Sequence, residues 1–222
     1  MVGKNRRDEK QLAVAWSVTF LKEERMAIYI RPINTLCLHI PKTGGNSIAR
    51  VCSTFGIAHH LLRGKPPNQH AHARRSQLHV PADVTVAVTV RHPVAWYESH
   101  WRYLMGRGIP FTERFEAFGW HPLAPLMPCM ALEFPTFIDR VIAQQPGFLT
   151  AMYAEYLPDA DTIMRLESFA QDLGALLGIK PDRIAEVAPR NVSQGSRASW
   201  AHGQVARIFE LEAETLRRFY DD

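Results

Sequence analysis

The hydrophobic pattern changes period at a few clear places, and those places define the elements. Leu36 to Ile40 is a short apolar run of strand length. Pro41 ends it, and Gly44-Gly45 permit backbone angles closed to other residues. Ile48, Val51, Cys52 and Phe55 then recur at i, i+3, i+4 and i+7, one face of a helix. A strand, a turn and a helix are therefore predicted over Leu36–Phe55. A second strand is predicted over Pro81–Val90. There Val84, Val86, Val88 and Val90 alternate with Thr85, Ala87 and Thr89, a pattern suited to a strand covered on both faces. It runs directly into RHPVAWYESHWRYLM, where Pro93 fits a first helical turn and Trp96, Trp101, Tyr103 and Leu104 supply packing bulk.

Further along, Phe134–Gln145 reads as helix and Thr162–Leu166 as a short strand. Glu167–Leu177 reads as a helix with Phe169, Leu173, Leu176 and Leu177 on one face and Gly178 as its C-terminal cap. One last helix is predicted over about Ser199–Tyr220, aligning Val205, Ile208, Phe209, Leu216 and Phe219. Between these elements, the polar, His-rich stretch from His59 to His79 reads as a loop leading into a short helix. Gly106 to Pro135 reads as an irregular, Pro- and Gly-rich insertion of the kind that often forms a lid or binding loop.

Strands alternating with helices predict an α/β fold: a single P-loop-like domain with a mainly parallel central sheet flanked by helices. Its expected span is residues 26–222, with 1–25 an N-terminal extension or surface helix. Leu12 to Leu21 is too short to cross a bilayer. The charged LKEERM follows it without a small-residue cleavage site, so neither a signal peptide nor a transmembrane segment is expected. Met26 is an alternative start. In parallel sheets, ligands bind at the carboxyl ends of strands, and the turns after Ile40 and Val90 both lie at such ends.

Composition narrows the class. At 222 residues, 46% hydrophobic and 22% charged, the chain suits one soluble globular domain. A formal charge of +4 favours anionic ligands but is too weak and dispersed for nucleic acid. Cys37, Cys52 and Cys129 form no CxxC pair; Cys37 and Cys52 sit in apolar runs as buried thiols, and the expected location is the cytoplasm. Five histidines between His59 and His79 invite a metal, but they lack nearby carboxylates, and no metal site is expected.

The first turn carries phosphate chemistry. A helix starting after a glycine turn presents unpaired N–H groups and a positive dipole end. Lys42 adds a mobile charge, and Thr43, Asn46 and Ser47 add polar groups around Gly44 and Gly45. This is not GxxxxGK[ST], because Lys42 precedes the glycines. The second turn offers Arg91 at a strand end and Ser99 eight residues on. The guanidinium fork and the hydroxyl could meet at one phosphate.

PKTGGNS resembles the 5′-phosphosulfate loop of sulfotransferases that use 3′-phosphoadenosine 5′-phosphosulfate (PAPS), and Arg91-x-Pro93 with Ser99 resembles their 3′-phosphate site. TIMRLESFAQDLGALLGI, with Arg165 and Glu167, looks like the family's late strand and helix. PRNVSQGSRASW, with Asn191 and Ser193, looks like its nucleotide-covering loop. QHAHA at Gln69–Ala73 is similar to the KHxTA stretch of the carbohydrate (Golgi-type) branch. The similarity spans about Leu36–Tyr220. Departures are His92 for a frequent Asn, Ala95-Trp96 for Asp-Arg, and Gln69 and His72 for the Lys and Thr of KHxTA.

The resemblance implies transfer of a sulfuryl group from PAPS to an acceptor hydroxyl, on a glycan or glycolipid, leaving 3′-phosphoadenosine 5′-phosphate (PAP), generally without a metal. It implies Lys42 at the leaving oxygen. It also implies that Thr43, Gly44, Gly45, Asn46 and Ser47 lie around the 5′-phosphate, and Arg91 and Ser99 at the 3′-phosphate. The general base is expected to be His70, with His72 its rival and Glu98 a third candidate. Two other classes stay open. One is a P-loop-like kinase, which would want Lys after the glycines and a strand-end Asp. The other is a non-catalytic nucleotide-binding module.

Overall fold

A computed structural model describes residues 27–62, 72–106, 121–187 and 198–221. Among them, five strands form one sheet: β1 (Ala27–Ile30), β2 (Thr35–Leu38), β3 (His59–Leu62), β4 (Thr85–Val90) and β5 (Thr162–Arg165), in the order β3-β1-β2-β4-β5. The helices are α1 (Gly45–Thr54), α2 (Pro93–Met105), α3 (Phe134–Gln144), α4 (Phe148–Ala154), α5 (Phe169–Leu177), α6 (Pro181–Val187), α7 (Gln204–Leu211) and α8 (Ala213–Phe219).

The class is α/β, but the sheet is mixed rather than mainly parallel. β2, β4 and β5 run parallel, with Leu38 opposite Val88 and Val90 opposite Arg165. β1 is antiparallel to both β2 and β3. A tight turn causes the reversal: Arg31–Ile33 make one 3-10 turn, and Asn34 closes it at φ 45, a left-handed conformation that Asn tolerates better than most residues. Tyr29 Oη donates to Asn34 Oδ1 at 2.9 Å and holds the corner. β3 lies inside the stretch read as a polar loop; as an edge strand it has one neighbour, and His60 and Leu61 are exposed.

The alternation along β4 separates two cores, as its two-sided pattern required. Val86, Val88 and Val90 join Leu36, Leu38 and Ile40 against α2, α3 and α4. Ala87 joins Cys37 and Met164 against Ile48, Val51 and Cys52 of α1, Phe169 and Leu173 of α5 and Ile184 of α6. Cys37 and Cys52 are buried free thiols there, pushed up to about 12 and about 11 by burial. Gly178 caps α5 at φ 68, as the sequence predicts.

Two further readings change. The predicted last helix is two, broken at Glu212, whose backbone leaves helical geometry at φ -104, ψ 21. Phe209, expected on the inner face, is 40% exposed. The insertion is not wholly a surface loop either: residues 124–129 form a 3-10 segment, and Leu123, Leu126, Met127 and Cys129 are core. Its first part, 107–120, and the 1–25 segment lie outside the described residues. Among the described residues, no helix is long and apolar enough to cross a membrane.

Candidate functional site

The site begins where β2 stops. The chain passes Ile40 and turns over Pro41–Gly44, and α1 starts at Gly45 with Gly44 as N-cap at φ 89. Glycine is required twice for different reasons. Gly44 needs the positive φ, and a Cβ there would also lie 2.6 Å from Leu166 Cδ1. At Gly45 a Cβ would lie 2.4 Å from His39 Cδ2. Lys42 takes a positive φ of 65 without being glycine, a conformation that costs about 1–2 kcal/mol.

Four contacts hold that strained turn. Thr43 Oγ1 donates to the Ile40 carbonyl at 3.0 Å, Ser47 N–H to Gly44 O at 2.8 Å, Trp96 Nε1 to Pro41 O at 2.9 Å, and Arg91 Nη1 to Lys42 O at 3.3 Å. Thr43 and Ser47 are therefore buried, loop-holding residues, while Asn46 is exposed. Gly45 and Asn46 begin α1, so their N–H groups lack intrahelical acceptors and face any anion seated on the turn. The Lys42 ammonium sits 4.0 Å over the Tyr103 ring, a cation–π contact.

The second anchor is joined to the first. Arg91 leaves β4 with its backbone clamped by Tyr153: Arg91 N–H donates to Tyr153 Oη at 2.8 Å, and Tyr153 Oη donates to Arg91 O at 3.0 Å. Burial lowers the Arg91 pKa from its usual range, an effect partly offset by Glu167, Tyr153 and Glu98. On α2, Trp96 touches Pro41 and Tyr103 touches Lys42. Ser99 lies three residues after one and four before the other, so it occupies the helix face that meets the loop. Lys42, Thr43, Gly44, Gly45, Ser47, Arg91 and Ser99 thus share the corner at the carboxyl ends of β2 and β4. Glu167 ties this corner to the C-terminal segment, accepting from His92 N–H at 2.9 Å and from Tyr220 Oη at 3.0 Å.

Of the base candidates, His70 lies outside the described residues, as do Asn191 and Ser193. His72 is buried beside the loop; its Nδ1 is 2.8 Å from the His39 carbonyl, and the His72 carbonyl accepts from Tyr156 Oη at 2.9 Å. Glu98 is committed elsewhere: its two oxygens accept from Arg102 Nη2 at 2.9 Å and Trp200 Nε1 at 2.8 Å.

Several framing residues were missed from sequence: His39, His100, Tyr103, His121 and Tyr153. His100 was findable as a polar residue on an apolar helix face. It is fully buried, stacked on Trp96 at 5.3 Å, and pushed down to about 3 by burial, with Lys42 and His121 acting in the same direction. His121 had no local signal, since it sits in a Pro-rich segment without period. Among the described residues, no group of three or more His, Cys, Asp or Glu could hold a metal ion.

Comparison with known proteins adds no relative: no family model, no curated protein and no solved structure matches the chain. The α/β class, with a five-stranded mixed sheet flanked by helices, is what its own structure defines.

Proposed function

We propose that this protein is a sulfotransferase that moves a sulfuryl group from PAPS to an acceptor hydroxyl, on a carbohydrate. The observation that carries the reading is the Arg91–Lys42 contact, which joins PKTGGNS and R-x-P-x-x-x-x-x-S in one corner. Two phosphates of one nucleotide could then be held by two strand ends. The N–H groups of Gly45 and Asn46 take the 5′-phosphate, and the Arg91 fork with the Ser99 hydroxyl takes the 3′-phosphate. Lys42 neutralises charge on the bridging oxygen as the S–O bond breaks. Holding donor and acceptor in line supplies much of the remaining acceleration.

His70, the base expected from sequence, lies outside the described residues; with Glu98 engaged by Trp200 and Arg102, its rival His72 is the described candidate for the general base. The test is incubation with radiolabelled PAPS and a panel of glycans, glycolipids and phenols. Label transferred to a glycan supports the reading. Label on phenols alone overturns the carbohydrate part, and PAPS left unconsumed with every acceptor overturns the whole.

A further inference from the structure

Tyr153 carries a polar group that core packing does not require. It lies on α4 with Phe148, Leu149 and Met152, all core, and is itself fully buried. Phenylalanine would fill the same space, and a hydroxyl costs free energy to bury unless it is hydrogen-bonded. Here both bonds of the hydroxyl go to one residue. It accepts from Arg91 N–H at 2.8 Å and donates to the Arg91 carbonyl at 3.0 Å. Burial pushes the Tyr153 pKa up, so the hydroxyl keeps the proton that the carbonyl needs.

The position of Arg91 explains why the hydroxyl is there. β4 ends at Val90, which lies opposite Arg165 of β5 and accepts from Leu166 N–H at 2.9 Å. On its other side β2 pairs only as far as Leu38, opposite Val88. Arg91 is one residue past the ladder, and its own N–H and C=O have no strand partner among the described residues. Leaving such groups unpaired costs about as much as a lost hydrogen bond. Tyr153 satisfies both at once. The side chain of the same residue is tied as well, with Nη1 donating to Lys42 O at 3.3 Å. Arg91 is thus held at three atoms, two by α4 and one by the turn after β2. Its side-chain direction follows from its backbone, so turning the backbone would swing the guanidinium away from the Lys42 carbonyl.

We propose that Tyr153 is a positioning residue of the nucleotide site, its hydroxyl setting the direction in which Arg91 leaves β4 and so the site's selection of a 3′-phosphate. This rests on the sulfuryl-transfer reading, which gives that phosphate to the Arg91 fork. Tyr153 needs no contact with the ligand. It acts through Arg91, fixing before binding the geometry that a bidentate contact demands.

Tyr153→Phe removes the hydroxyl and keeps the ring. Affinities for PAP and adenosine 5′-phosphate are measured calorimetrically for wild type, Tyr153→Phe, Arg91→Ala and the double variant. Tyr153→Phe is expected to weaken PAP binding about tenfold or more, the scale of stranding a buried polar group, and adenosine 5′-phosphate binding much less. In the Arg91→Ala background it should cost no further PAP affinity, because the two residues act as one unit. Tyr29→Phe, which removes a hydroxyl from the corner between β1 and β2, should leave the preference for PAP intact. An unchanged preference in Tyr153→Phe, equal losses for both nucleotides, a full second loss in the double variant or a like loss in Tyr29→Phe overturns the assignment. Amide hydrogen exchange on the wild-type protein tests the clamp without any variant. The Arg91 N–H should exchange as slowly as an amide inside the sheet, and fast exchange overturns the clamp. A preference for PAP that survives Tyr153→Phe removes Tyr153 alone and leaves the functional reading standing. A wild-type protein with no preference for PAP overturns that reading and this assignment with it.

Discussion

Lys42 works with both its ends. Its left-handed backbone turns the chain so that its carbonyl meets Arg91, and its ammonium rests on Tyr103. On the proposed reading, Lys42→Ala lowers turnover by about 10²–10³ while PAP binding falls much less; a variant with normal turnover and poor binding would reduce Lys42 to a positioning role. Arg91→Ala is expected to weaken PAP binding by roughly 2–5 kcal/mol, the cost of removing one partner of a desolvated charge pair. Adenosine 5′-phosphate, lacking the 3′-phosphate, should be little affected, and calorimetry with both ligands reads the difference. His100 gives a stability prediction. Its folded pKa, about 3, lies below the ordinary value of 6.5, so the unfolded chain binds the extra proton between those values. Stability should therefore fall as pH drops through that window, with a contribution of up to about 1.4 kcal/mol per pH unit. His100→Phe keeps the stack on Trp96 and should flatten the acid side of a denaturation-versus-pH curve; an unchanged curve would contradict the assignment.

At the scale of elements, Glu212 decides how the C-terminal helices sit. Its buried carboxylate accepts from Leu149 N–H at 3.1 Å, Thr150 N–H at 2.8 Å, Thr150 Oγ1 at 2.6 Å and Tyr97 Oη at 2.6 Å. Two of these donors are unpaired first-turn amides of α4, which favour a negative charge. The helical periodicity from Ser199 onward gave no warning of the break, because Glu is a good helix former and only its tertiary partners make it a joint. Glu212→Ala strands several buried donors and should destabilise the fold by about 3–5 kcal/mol in urea denaturation. Glu212→Gln, which keeps an acceptor oxygen, should lose less; equal losses would mean that shape rather than hydrogen bonding matters there. β3 was hidden for a different reason. An edge strand with solvent on one side need not be apolar, and His59 and His60 supply no alternating signal.

For the whole molecule, the parallel half of the sheet was legible and the antiparallel half was not. Leu36–Ile40 and Val84–Val90 announce themselves by composition and alternation, because both faces of β2 and β4 are buried. β1 is four residues long and reverses through a turn whose conformation rests on one asparagine. The corner where the turns after β2 and β4 meet was legible because each turn is local, a few residues at one strand end. The ring contacts of His72 with His39 and His121 were not, because they form only through tertiary folding. On the proposed reading, two strand ends hold two phosphates of one nucleotide. That reading is tested most directly by titrating the wild-type protein calorimetrically with PAP, adenosine 5′-phosphate and ATP–Mg²⁺. PAP is expected to bind tightest, ahead of adenosine 5′-phosphate by roughly 2–5 kcal/mol, without need of magnesium. Equal affinity for PAP and adenosine 5′-phosphate, or tighter magnesium-dependent binding of ATP, would contradict it.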